Sequence, residues 1–280
     1  MNNFKKLPAQ SSINEKADAY GEVALETSEA AADTVRLGYD IPFGDDPAQA
    51  IDVYAPKEGG TGLPVLVFFH GGNFTHGFKE WCGFMAPAIT AFPAILVSAS
   101  YRLSPEVSFR DLLRDCFAAV KKAQEVAPDF GGDPDRLFVG GHSAGGQIAA
   151  LLVQRDDWRE EAGLPEDAIK GSFPMSANFA RRLTDLETDT SLHVGPEVPD
   201  SPLELARSPL KRDIPVLVAW GGDEKPYVLE EGPQLVEALK ASGVQAEAMV
   251  MEGADHFEAH LRTGDPDDPW TRRVREIMAG

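Results

Sequence analysis

Residues Phe138 to Ala150, Phe-Val-Gly-Gly-His-Ser-Ala-Gly-Gly-Gln-Ile-Ala-Ala, constrain the fold more than any other stretch of this chain. The apolar run Leu137 to Val139 passes into Gly140-Gly141, Ser143 follows with Gly141 and Gly145 two positions either side, and Ala-rich residues continue at helical spacing. That describes a strand, a sharp turn and a helix. Only small neighbours let a serine sit on such a strained turn, crowded between the strand before it and the helix after it. Because the helix starts at the serine, its unpaired N–H groups and dipole favour negative charge developing beside the hydroxyl. The pattern predicts a nucleophilic serine, Ser143, on an elbow suited to acyl transfer.

At 280 residues, with 43% hydrophobic and 25% charged residues, the chain suits one large α/β domain over 1–280 with a substantial core, and no composition shift marks a linker. The net charge of −19 makes nucleic acid and anionic membrane surfaces poor partners by repulsion. No window approaches the roughly 18 to 20 apolar residues of a membrane span, and Met1 to Lys6 lacks a signal-like apolar stretch, so a cytoplasmic location is expected. Cys82 and Cys116 fit neither metal spacing nor a disulfide framework and read as ordinary buried thiols.

Residues 1–12 read as a loose terminus and Ile13 to Ala32 as one or two helices. Strands are expected at Thr34 to Tyr39, Ala50 to Tyr54, Leu63 to Phe69, Ile95 to Ala99, the elbow, Ile169 to Met175, Val216 to Trp220 and Ala246 to Met251. Helices are expected at Arg110 to Glu125, after the elbow, at Glu231 to Ser242 and at Trp270 to Met278, while Asp156 to Asp167 reads as charged turn. Residues 178–212, interrupted by Pro196, Pro199, Pro202 and Pro209, are the least regular stretch. Alternating strands and helices predict a mostly parallel central sheet with helices on both faces and a small cap drawn from about 13–32 and 178–212.

A serine hydroxyl needs a base within hydrogen-bond reach and an acid to orient that base. On an elbow of this type the partners follow in the order serine, carboxylate, histidine, on loops after late strands. His256 follows Ala246 to Met251, and the adjacent Asp223 and Glu224 follow Val216 to Trp220. Both positions lie at the carboxyl ends of strands, where open α/β sheets place their sites. His260 could pair with His256 as metal ligands, but no third ligand is evident and no metal is expected. His70-Gly71-Gly72-Asn73 follows the first fully apolar strand. Its glycines allow a close approach to a substrate oxygen, so N–H groups near Gly71 and Gly72, with that of Ala144, are the expected oxyanion donors. His70 then reads as a loop anchor rather than a base.

With His70-Gly71-Gly72-Asn73-Phe74, Tyr101-Arg102-Leu103-Ser104-Pro105-Glu106, Gly132-Asp133-Pro134-Asp135-Arg136-Leu137 and Gly141-His142-Ser143-Ala144-Gly145-Gly146, the chain resembles the hormone-sensitive-lipase-like carboxylesterases of the α/β-hydrolase superfamily. His142, where that group usually carries Asp, together with Trp220-Gly221-Gly222-Asp223-Glu224 and Asp255-His256-Phe257, resembles the bacterial arylformamidases, or kynurenine formamidases. The similarity covers about residues 15–280 and implies the α/β-hydrolase fold and a triad of Ser143, His256 and, at the position of the family acid, Asp223. Ser176-Ala177-Asn178-Phe179-Ala180 departs from the Ser-Gly-aromatic-Asp-Leu run of the formamidases, which weighs against a formamide substrate.

The expected function is therefore cofactor-independent hydrolysis of small carboxylic esters or activated amides through an acyl-enzyme. Arylformamidase and acyltransferase activity are the alternatives, a ligand-binding receptor is a third, and homodimerisation is left open. Phe74, Phe78, Trp81 and Phe179 are candidates for an aromatic pocket wall, with packing of a cap as the competing reading.

Overall fold

The computed structural model describes residues 7–180, 201–208, 210 and 213–280. In chain order the elements are α1 (Glu15–Ala32), β1 (Arg36–Pro42), β2 (Ala50–Ala55), β3 (Leu63–Phe69), a 3-10 helix (Lys79–Met85) leading into α2 (Ala86–Ala91), β4 (Ile95–Ala99), α3 (Phe109–Val126), β5 (Gly132–His142), α4 (Ala144–Gln154), α5 (Asp156–Glu161), β6 (Ile169–Met175), α6 (Pro202–Leu205), β7 (Val216–Gly221), α7 (Pro226–Ala241), β8 (Ala246–Met251), α8 (His256–Leu261) and α9 (Pro269–Ala279). The strands form one sheet in the order β1-β2-β4-β3-β5-β6-β7-β8. The pairs β1/β2 and β2/β4 are antiparallel and the remaining pairs are parallel.

Every residue of β3 is buried, as a continuous apolar run in a sheet covered on both faces requires. Its side chains alternate between the two layers with period two. Val65, Val67 and Phe69 pack with Phe109, Leu112, Ile148 and Leu152 of α3 and α4, whereas Leu66 and Phe68 pack with Tyr20 of α1, Ile89 of α2 and Trp270 of α9. On β7, Val216, Val218 and Trp220 meet Val228, Leu235 and Leu239 of α7. Both cysteines are buried free thiols.

Four strands, β3, β4, β6 and β8, have the expected bounds. Two helices differ. Asp156–Glu161 is helical rather than a turn because Trp158 and Arg159 are buried there, with the Arg155 guanidinium 4.0 Å above the Trp158 ring. Helix α7 starts five residues before the expected Glu231, at Pro226 in its first turn, and keeps Pro233 inside. An internal proline costs about 3 kcal/mol of helix, so the packing of Leu235 and Leu239 outweighs propensity here. The terminus is tied down from residue 10. The Gln10 amide accepts from Gly77 N (2.9 Å) and donates to Gly77 O (3.4 Å), and Ser11 Oγ is 2.9 Å from His76 Nε2. Of the second cap segment, residues 181–200, 209, 211 and 212 lie outside the described residues, and with them His193.

A charge cluster, buried at Lys79, Asp52 and Glu80, ties β1, β2 and the 3-10 helix together. Lys79 Nζ lies 2.8 Å from Asp40, 3.2 Å from Asp52 and 2.5 Å from Glu80. Burial pushes the Asp52 carboxyl up to about 7 against the opposing pull of Lys79. Among the described residues no helix is long and apolar enough to cross a membrane.

Candidate active site

Between β5 and α4 the chain turns on Ser143, whose φ of 57° and ψ of −117° place a non-glycine residue in a sparsely populated conformation. The surroundings hold it there. The Ser143 N–H donates to Met175 O (2.9 Å), and its own carbonyl accepts from Gly146 N (3.0 Å). A Cβ on Gly145 would stand 2.0 Å from Phe69 O, and one on Gly141 would stand 2.2 Å from Gly145 O. The glycines at the elbow are required because backbone occupies the space a side chain would take.

Ser143 Oγ lies 3.0 Å from His256 Nε2. His256 opens α8, where Asp255 caps the helix through Phe257 N (2.9 Å) and Glu258 N (3.1 Å). On the far side of the ring, Nδ1 is 3.0 and 2.9 Å from the two carboxylate oxygens of Glu224. A carboxylate can only accept, so Nδ1 carries the proton of the neutral ring and Nε2 presents its lone pair to the serine hydroxyl. The Glu224 side chain is 0% exposed.

This corrects the acid expected at Asp223. Asp223 is exposed, and its backbone N–H donates to Ala254 O (3.0 Å). Gly221 sets that register, since a Cβ there would be 2.3 Å from the same carbonyl. The loop after β7 is thereby docked on the segment before α8, and of two consecutive carboxylates it sends the second, longer one inward. Nothing local in Gly-Gly-Asp-Glu signals this.

The loop after β3 abuts the elbow. The position of a Cβ on Gly71 is 3.0 Å from Ser143 Cβ. Gly72 has φ +117°, and a Cβ there would meet His76 O at 2.0 Å, inside the turn closed by His76 N to Gly72 O (2.9 Å). Among the described residues, the backbone N–H groups of Gly71, Gly72 and Ala144 donate to no other group. His70 anchors this loop. Its Nδ1–H donates to Gly71 O (2.6 Å), Tyr101 Oη donates to His70 O (2.8 Å), and the two rings stack with centroids 4.4 Å apart. Arg102, beside Tyr101, forks onto Asp115 at 2.8 and 2.7 Å.

His142 and His260 lie within the core and hold no charge. Burial above all pushes His142 well below the usual histidine range, and it takes His260 to about 3 and His70 to about 4. His260 is hydrogen-bonded through Nδ1 to Tyr20 Oη (2.7 Å) and stacks on Phe68 and His142. Of the histidines around the serine, only His256 has one nitrogen on the hydroxyl and the other on a carboxylate.

The aromatic candidates divide. Phe74, at φ +66°, turns its ring inward onto Phe109 (4.8 Å, edge-on), and Phe179 packs with Leu203, Val228 and Leu235. Both are core side chains rather than pocket wall. Phe78 and Trp81 line a cavity of about 310 Å³ between residues 10–25 and the loop after β3, and Phe78 also lines a neighbouring one of about 550 Å³. Neither cavity is lined by Ser143 or His256 among the described residues.

Residues 66–260 match the α/β-hydrolase fold family, which is more than half of the chain. The chain belongs to that family. Its curated relatives include carboxylesterases and kynurenine formamidases at 22% to 39% identity, in keeping with the resemblance in the motifs. The α/β-hydrolase chain is 30% identical over 77% of its length to the esterase LipC of Mycobacterium tuberculosis. It is 23% identical over 82% of its length to the kynurenine formamidase of Danio rerio, covering 78% of that protein. It spans little more than half the length of other curated relatives, 58% of LipC and 57% of an isoprenylcysteine alpha-carbonyl methylesterase of Arabidopsis thaliana. In fold it is similar to the carboxylesterase EstE1 from a metagenomic library, with a TM-score of 0.72 at 23% identity, over 97% of this chain and 99% of that one.

Proposed function

We propose that this α/β-hydrolase is a cofactor-independent serine hydrolase that cleaves small carboxylic esters or activated amides through an acyl-enzyme. The observation that carries the reading is the hydrogen-bonded line from Ser143 Oγ through His256 to Glu224, with contacts of 3.0 and 2.9 Å. Ser143 attacks the substrate carbonyl while His256 Nε2 takes its proton. Glu224 holds Nδ1–H and stabilises the imidazolium that forms. The negative charge on the former carbonyl oxygen is met by the N–H of Ala144 at the start of α4 and by N–H groups of Gly71 and Gly72, each donor contributing roughly 3 to 4 kcal/mol. His256 then protonates the leaving group, and water, activated by the same histidine, releases the acid.

The kynurenine formamidase relative supports an arylformamide as a second substrate class, through the extent of that match and the His142 shared with the motif of that branch. The altered run Ser176 to Ala180 favours esters. The test is labelling with a fluorophosphonate, located by mass spectrometry, followed by burst kinetics on p-nitrophenyl acetate with and without added alcohol. Labelling at Ser143, a stoichiometric burst and a Ser143→Ala variant that folds but has lost nearly all turnover are expected. Absence of labelling at Ser143 overturns the reading, and products dominated by transfer to the alcohol replace it with an acyltransferase. Comparing kcat/KM for p-nitrophenyl acetate, butyrate and octanoate with N-formylkynurenine separates the substrate classes. The acetate or butyrate ester is expected to lead.

A further inference from the structure

His142 is the last residue of β5 and the immediate neighbour of the nucleophile, yet neither the acid nor the base role falls to it. Its ring is buried, and Nε2 lies 2.7 Å from the main-chain oxygen of His256. A carbonyl only accepts, so Nε2 carries the proton and donates. Two consecutive residues of the elbow thus each hold one atom of the same histidine: His142 its carbonyl oxygen, Ser143 its Nε2 at 3.0 Å. Glu224 provides the third point, at Nδ1.

The same ring reaches the oxyanion loop. His142 Nδ1 is 3.3 Å from where a Cβ on Gly71 would lie, and no polar partner meets this buried nitrogen among the described residues. Its flat face is fixed by His260, stacked at 4.8 Å and 13°, which Tyr20 of α1 holds by a hydrogen bond of 2.7 Å. One side chain therefore holds the base and lies beside the oxyanion loop while being covalently next to the nucleophile. The capping box of Asp255 and Glu258 shapes the start of α8 but leaves its placement against the sheet to contacts such as this one.

We propose that His142 is a positioning residue, whose Nε2–H on the His256 carbonyl sets the spacing of nucleophile, base and oxyanion loop. The inference rests on the serine-hydrolase reading. A neutral imidazole suits the task. It donates at the right reach, and it places no charge beside the imidazolium that forms on His256, whereas a carboxylate at 142 could not donate to a carbonyl at all. Losing the bond removes the tie between the elbow and the His256 main chain, so the ring's place against Ser143 depends on the start of α8, on packing against Phe257 and on its own two nitrogens, one of which must let go of the serine during the reaction. Misplacement of a reacting group by about 1 Å can cost on the order of 100-fold in rate.

The test compares His142→Phe, which keeps a flat ring and removes the donor, with His142→Gln, whose amide can reach the same carbonyl. Turnover of p-nitrophenyl acetate is expressed per active site titrated with the fluorophosphonate, so that a misfolded fraction does not count. For His142→Phe we expect kcat per site to fall about 10- to 100-fold with KM within about threefold. The second-order labelling rate of Ser143 should fall in parallel, and His142→Gln should recover to within about fivefold of the unaltered protein. A purely structural role would lower the number of titratable sites and leave kcat per site alone. Unchanged kcat per site in His142→Phe, or no recovery in His142→Gln, overturns the proposal. If His142→Phe gives no folded protein, His142→Asn, whose amide stops short of the carbonyl, takes its place with the same expected and overturning results. An unaltered protein whose Ser143 resists labelling overturns the hydrolase reading and this inference with it.

Discussion

Glu224 sets both of its carboxylate oxygens within 3.0 Å of His256 Nδ1, while Asp223, one residue earlier, stays in solvent with its N–H on Ala254 O. Glu224→Gln should therefore lower kcat by about 10⁴-fold, because a neutral amide neither fixes the tautomer nor stabilises the imidazolium. Asp223→Asn should stay within about threefold of the unaltered protein, as expected of a surface side chain. Steady-state kinetics on one activated ester ranks the two, and the opposite order would show that Asp223 is the working carboxylate.

At the elbow, Gly145→Ala puts a methyl group into the 2.0 Å gap before Phe69 O. Both partners are backbone, one on α4 and one at the end of β3, so neither can move aside without shifting an element. A loss of about 2 to 4 kcal/mol follows, or failure to accumulate as folded protein. Chemical unfolding reads it, and a variant as stable as the parent contradicts the packing described here.

Stability should fall as pH drops from 6.5 towards 5. His70 is held at about 4, His260 at about 3 and His142 well below 6.5, in each case chiefly by burial, so unfolding takes up protons throughout this window, approaching about three near pH 5. A histidine lowered in the folded state contributes stability that is complete above the unfolded value and disappears as pH falls towards the folded one. Asp52 works the other way. Raised to about 7 by burial, it is protonated when folded and releases its proton on unfolding. The net uptake of about two protons gives a slope of about 2.7 kcal/mol per pH unit near pH 5. Urea unfolding at pH 5.0, 5.5 and 6.0 measures the slope, and His260→Gln should flatten it by about half.

Lys79→Met should cost about 3 to 5 kcal/mol. It removes the ammonium shared by Asp40, Asp52 and Glu80 and leaves two buried carboxyl groups without their cation. Thermal unfolding at neutral pH tests this, and a loss below 1 kcal/mol would show that the cluster rearranges around the gap.

Much of the fold is written locally. Strands Leu63–Phe69, Ile95–Ala99, Ile169–Met175 and Ala246–Met251 have the bounds that their apolar runs and flanking turns announce. The elbow is legible for a similar reason, because backbone crowding within a few residues of Ser143 admits only glycine, and that requirement is visible in composition. His256 could be found from its place after a late strand.

Other features depend on contacts between segments far apart in the chain, and these only the tertiary structure decided. Whether Phe74 faces substrate or core hinges on Phe109, 35 positions later, which receives its ring edge-on. The role of His142 is invisible until α8 brings the His256 carbonyl to its Nε2. The choice of Glu224 over Asp223 is the sharpest case, for both are carboxylates on one loop and either side chain satisfies the chemistry. By itself the sequence determined the sheet and singled out Ser143 and His256, which lie 3.0 Å apart, through periodicity and steric demands acting over a few residues. Which carboxylate meets His256 was decided by the docking of Gly221 and Asp223 on Ala254, a register between two loops about 30 residues apart that no local pattern encodes.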